Sequence, residues 1–153
     1  MKIPLLTDSN RSGHLFAAGV VGAVIAAYNL PLGASVFLWE WIATPDMDIK
    51  TRRPKRLAGW LWVTFWRPWT RRVPHRSRLS HSLLFGTTCR LAYVLAVPAL
   101  LLLFPHSIFN WIWEGHRGLV LRVLETIVMG AVISDTVHLF KDGYGLVELF
   151  IGE

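Results

Sequence analysis

Asp135, His138 and Asp142 are spaced three and four residues apart. In a helix they would lie within about 60° of one another on one face. A His and an Asp one turn apart can bind a metal together, or one can ligate while the other orients it. The plainer reading is a polar helix end at an interface, but ionisable groups near hydrocarbon cost ~2.5–3.5 kcal/mol at a helix centre without partners or a function. Asp46 and Asp48 alternate in P-D-M-D and would point the same way in an extended segment. His75 and His81 flank R-S-R-L-S, and His14 follows Ser12-Gly13. Together His14, Asp46, Asp48, His75, His81, Asp135, His138 and Asp142 form a candidate set of N and O ligands. A tetrahedral zinc needs three or four such donors, so the set has room for two ions, or for one with residues that orient its ligands. The only cysteine, Cys89, excludes a thiolate cluster, and His with Asp suits Zn2+ first, with Mn2+ or Fe2+ also accommodated. Two metals close together activate water and clamp a phosphoryl group. Asp48 and Asp135 are the candidate general bases, and Arg76 and Arg78 could hold a phosphate or serve only as topology signals.

Bringing these groups together falls to an apolar frame. The 153 residues, enough for one domain, are 53% hydrophobic and only 17% charged, with eight tryptophans; mean hydropathy is +0.41. A soluble domain is nearer a quarter charged, so an integral membrane protein is expected. The first residues lack the order of a cleaved leader. The composition predicts an all-α, four-helix membrane bundle, with helices at about 13–28, 31–44, 79–104 and 118–141. The first two form a short hairpin, because Asn29 to Gly33 hold turn residues in the middle of a stretch, Leu15 to Trp39, without a charge; a single kinked span is the alternative. Helices of that length reach roughly 24 Å, short of a ~30 Å hydrocarbon core. The other two are expected to span.

Ten of the sixteen Lys and Arg fall between Lys50 and Arg78. Residues 45–78 therefore read as a basic loop on the cytoplasmic side, and its Trp/Arg-rich part as a segment lying among lipid headgroups. Alternating helix directions would then bring every candidate ligand to that one side. Anionic lipids are the expected partners, with a homo-oligomer or larger membrane complex as a further possibility; nucleic acid is disfavoured in so apolar a chain.

His14, P-D-M-D at 45–48, H-R-S-R-L-S-H-S from 75 to 82 and H-L-F-K-D from 138 to 142 resemble a bacterial family of small metal-binding membrane proteins common in cyanobacteria. That family is similar to inner-membrane metal-dependent hydrolases and, more remotely, to zinc-dependent phospholipase C. Leu15 stands where its pattern has an Asp, and Val137 where it has a small residue. The resemblance implies an all-helical fold in the bacterial inner membrane and a metal site, zinc foremost, built from His14, Asp46, Asp48, His75, His81, His138 and Asp142. The expected function is hydrolysis of a phosphoester or lipid headgroup at the cytoplasmic face. The alternative is a non-catalytic membrane protein, or a subunit of a complex, stapled by a structural metal.

Overall fold

The computed structural model describes residues 11–45, 57–74, 77–102 and 106–151. Among them all regular structure is helical: α1 (Arg11–Ala26), α2 (Leu30–Ala43), α3 (Leu57–Arg72), α4 (Phe85–Leu102), α5 (His106–Lys141) and α6 (Leu146–Ile151).

α1 and α2 form a tight hairpin, as two short helices rather than one kinked span. Asn29 adopts an extended backbone (φ −148°, ψ 91°) and its side chain accepts the Leu32 N–H at 3.1 Å, capping α2. Pro31 sits in the first turn, where a missing N–H costs nothing. The two helices touch through glycine. A Cβ on Gly33 would stand 2.3 Å from the Gly22 carbonyl oxygen and 2.5 Å from the Ala26 nitrogen. Backbone cannot yield there, so Gly33→Ala should spread the hairpin and cost roughly 1–3 kcal/mol, read as a lower thermal midpoint.

Beyond Gly33, the buried residues of α2 are Val36, Trp39, Glu40 and Ala43, and α2 also packs on α5, where Trp39 and Glu40 reach Asp135 and His138. The two backbones come close, since a Cβ on Gly130 would meet the Ser35 side chain at 2.2 Å. α4 and α1 also lie against α5, the spine of the molecule.

The stretch expected as an interfacial loop contains α3, and its tryptophans are divided. Trp66 and Trp69 are buried, forming a core with Trp39, Ala43, Val73 and Ala131, whereas Trp60 is exposed. Trp66 and Trp69 meet edge to face at 6.3 Å, Trp66 stacks on Tyr93 at 5.3 Å, and the Tyr93 hydroxyl donates to the Phe65 carbonyl. These rings serve the core rather than the headgroup layer. Pro68 sits inside α3, on an exposed face that includes Thr64, the residue whose carbonyl it leaves without its helical donor.

Among the described residues no helix is long and apolar enough to cross a membrane. The two expected spans are corrected accordingly. α4 starts at Phe85, not 79, because Ser82 Oγ accepts the N–H groups of Phe85 (3.1 Å) and Gly86 (3.2 Å) and thereby caps the helix. α5 starts at His106 and runs 36 residues across a kink at His116 (φ −133°, ψ 19°). Along its length it carries Arg117, Arg122, Glu125 and Asp135.

Candidate metal centre

His14 opens α1, Glu40 and Thr44 close α2, and Ser80 and His81 lie in the turn between α3 and α4. His138 is in the last turn of α5 and Asp142 follows it. Asp142 is placed by the helix end itself. Gly143 takes φ +85°; its N–H bonds Phe140 O (3.0 Å) and Tyr144 N–H bonds Leu139 O (3.1 Å). This is a Schellman termination, completed by the packing of Tyr144 on Leu139.

Three imidazoles meet the Asp142 carboxylate. His14 Nε2 lies 3.2 Å from Oδ1, while His138 Nε2 and His81 Nε2 lie 3.4 and 3.9 Å from Oδ2. The His14 and His138 rings stack at 3.8 Å, tilted by 16°, and the His81 and His138 rings are 6.4 Å apart. Donors bonded at ~2.0–2.2 Å to one ion stand roughly 3.3–3.6 Å apart around a tetrahedron. The carboxylate–imidazole separations bracket that spacing, and His81, His138 and Asp142 offer donor atoms that all lie within 4.8 Å of one another, so these three fit a metal ion, with His14 beside them on the other carboxylate oxygen. Asp142 is 13% exposed whereas the histidines are at most 2% exposed, so the site opens on the carboxylate side.

The opposite ring nitrogens are held from behind. His138 Nδ1 is 2.9 Å from Glu40 Oε1 and 3.0 Å from Thr44 Oγ1, and His81 Nδ1 is 2.9 Å from Ser80 Oγ. With Nδ1–H donated to Glu40, His138 would present its Nε2 lone pair to a bound ion. This is the carboxylate–histidine pairing that orients metal ligands. His14, Glu40 and His138 also offer donor atoms within 4.8 Å of one another. Glu40 Oε1 accepts from Thr44 and Oε2 from Ser134, both at 3.1 Å, so we assign Glu40 to orienting His138 rather than to ligation. Glu40→Gln should weaken metal binding by ~10–100-fold with the helices retained, measured by chelator competition and circular dichroism.

Burial pushes the Glu40 carboxyl up, but the hydrogen bond and charge of His138, helped by Ser134 and Thr44, hold it below the usual range. Asp142 is likewise pushed up by burial and overridden by the hydrogen bonds and charges of His138 and His14, which hold it well below the carboxylate range. A depressed folded-state pKa contributes stability above the unfolded value, ~3.9 for Asp, and loses it as pH falls below that. In metal-free protein, Asp142→Asn should therefore lower the thermal midpoint at pH 5, and the gap to the parent should begin to narrow below about pH 4 and still be open at about pH 3.

Asp135 does not join the imidazoles. Fully buried, it receives Arg90 Nη2 at 2.6 Å and Thr87 Oγ1 at 2.5 Å on Oδ2, and Trp39 Nε1 at 3.2 Å on Oδ1. Both oxygens are committed, which replaces the expected general-base role with a positioning one. Arg90 also donates to the Ser80 carbonyl, tying α5 to the turn that carries His81. Asp46, Asp48 and His75 lie outside the described residues. Glu40 was missed by reading motifs, although its signal is plain: it is the first charge after the uncharged run Leu15 to Trp39, and a lone carboxylate there needs a partner.

A family model described as "Uncharacterized metal-binding protein (DUF2227)" matches residues 14–147. No curated protein and no solved structure matches the chain.

Proposed function

The chain belongs to this DUF2227 family of metal-binding proteins, and on that premise we propose that it is a metal-dependent hydrolase of phosphoesters, working at the cytoplasmic face of the bacterial inner membrane. The observation that carries the reading is the gathering of three Nε2 atoms around a carboxylate with one open side. His14, His81, His138 and Asp142 would hold the ion, and their N and O donors suit zinc. Bound there, a divalent ion supplies Lewis acidity, lowering the pKa of water and polarising a phosphoryl oxygen. Glu40 and Ser80 fix the ring orientations, and the stacked histidines exclude water from the inner side. Exposed apolar side chains on several helices, among them Phe16, Trp41, Trp60 and Val147, support a lipid surface as the working place. The basic segment between Lys50 and Arg78 suits anionic headgroups.

A structural metal is the second reading. It is favoured by the four donors coming from three separate parts of the chain, which an ion would tie together. The test is His81→Ala against a panel of phosphomonoesters and phosphodiesters, in zinc-loaded protein. Turnover by the parent that is lost in a still-folded variant supports the hydrolase. An inactive, fully loaded parent, with a variant that unfolds, supports the staple.

A further inference from the structure

The α1–α2 hairpin leads from the metal centre to a tip that no other described helix is shown to cap. Its two arms carry no charge from Leu15 to Trp39. At the tip Tyr28 is 91% and Leu30 69% exposed, and Phe16, Val20 and Val24 extend the exposed apolar surface along α1. Most of the backbone donors of the turn are bonded within it. Ala27 N–H bonds Ala23 O at 3.2 Å, and Tyr28 and Asn29 N–H bond Ile25 O at 3.0 and 2.8 Å. Gly33 N–H bonds Asn29 O at 3.0 Å, Leu32 N–H bonds the Asn29 side chain, and Pro31 has no N–H. Donors bonded within the segment, all but the Leu30 N–H, lower the cost of taking this turn out of water. The Gly22–Gly33 contact is the small-residue packing that holds helices together in lipid, where apolar side chains gain nothing by meeting one another.

Length sets the depth. From His14 to Tyr28 is about 21 Å along α1 at 1.5 Å per residue. That exceeds half of a ~30 Å hydrocarbon core and falls short of all of it. The open end of the hairpin, by contrast, leads straight into the basic stretch that begins at Lys50. We propose that α1–α2 is a re-entrant membrane hairpin: its tip, Tyr28 to Leu32, is buried in lipid hydrocarbon past the bilayer midplane, while His14, Glu40 and Thr44 hold the metal centre at the headgroup level. The inference rests on the membrane reading and is independent of hydrolysis. It gives the site its substrate geometry, because a centre held at that level meets the phosphate of a lipid headgroup from the side.

The test uses full-length protein with Cys89→Ala and a single new cysteine, Leu30→Cys, carrying an environment-sensitive fluorophore. A second protein carries the label at Arg71→Cys on exposed α3. Both are reconstituted into phosphatidylcholine–phosphatidylglycerol vesicles, with flotation and metal content measured on the same samples. The expected result is co-flotation, with Leu30 quenched most by lipids brominated deep in the acyl chain. Leu30 should also be several-fold less sensitive to aqueous iodide than Arg71, and the unlabelled Leu30→Cys thiol should be closed to impermeant thiol reagents from both sides. Co-flotation with Leu30 open to iodide, or reachable from the far side, overturns the hairpin and leaves the membrane reading standing. Leu30 labels that self-quench between chains, without bromine quenching, overturn it in favour of a second copy of the chain. Failure to float overturns both. Leu30→Asp supplies an independent check: it should reduce vesicle incorporation by about 100-fold with metal content unchanged, and unchanged incorporation would contradict the proposal.

Discussion

His138→Ala should empty the metal centre. Structural zinc sites bind with apparent free energies of ~10–16 kcal/mol, so one of four ligands represents roughly 3–4 kcal/mol and a loss of at least ~100-fold in affinity. This position should exceed that share, because the ring makes three of the contacts in the site. It faces Asp142 through Nε2 and Glu40 through Nδ1, and stacks on His14. Removing it also strands Glu40, a buried carboxylate left with only Thr44 and Ser134 as donors. The variant should therefore lose both metal and stability, whereas Glu40→Gln trims affinity and leaves the fold. Competition with a chromophoric chelator, with thermal unfolding on the same preparation, separates the two. Retention of parental affinity by His138→Ala would remove His138 from the ligand set.

The largest effect on stability is expected at Arg90, away from the ion. Both Arg90 and Asp135 are fully buried, and breaking a buried ion pair from one side costs ~3–5 kcal/mol because the remaining charge has no solvent to return to. Arg90→Met should reach that range. Asp135 would keep only Thr87 and Trp39, and the Ser80 carbonyl would lose its guanidinium donor. Since Ser80 in turn holds His81 Nδ1, metal affinity should fall as well, although Arg90 touches no proposed ligand. Arg90→Lys keeps the charge but cannot reach both acceptors with a fixed fork, and should recover only part of the loss. Combining Arg90→Met with Asp135→Leu should restore much of the stability without restoring the affinity. Thermal midpoints and chelator titrations across this cycle distinguish a positioning pair from a generic core contact.

Much of the site was legible because spacing and helix direction carry it. His138 and Asp142 are one turn apart, and their shared face is fixed by the helical repeat. The turn at Asn29 to Gly33 announced the hairpin that returns the chain to the level of His14. What stayed hidden needed a third dimension. Glu40 belongs to no motif, and only the packing of α2 on α5 brings it to His138. Asp135 shares a helix face with the ligands, yet Arg90, forty-five residues away in sequence, draws its carboxylate elsewhere. The tryptophans of α3 look interfacial by composition, whereas burial divides them into core and surface according to which side meets Tyr93 and Trp39.

The most direct test of the centre is elemental analysis of full-length protein purified in mild detergent, alongside His81→Ala and His138→Ala prepared identically. The geometry predicts at least one tightly held divalent ion per chain in the parent, and its loss in both variants. A parent that binds no divalent ion at any supply, or variants that keep the parental content, would contradict a metal held by His14, His81, His138 and Asp142.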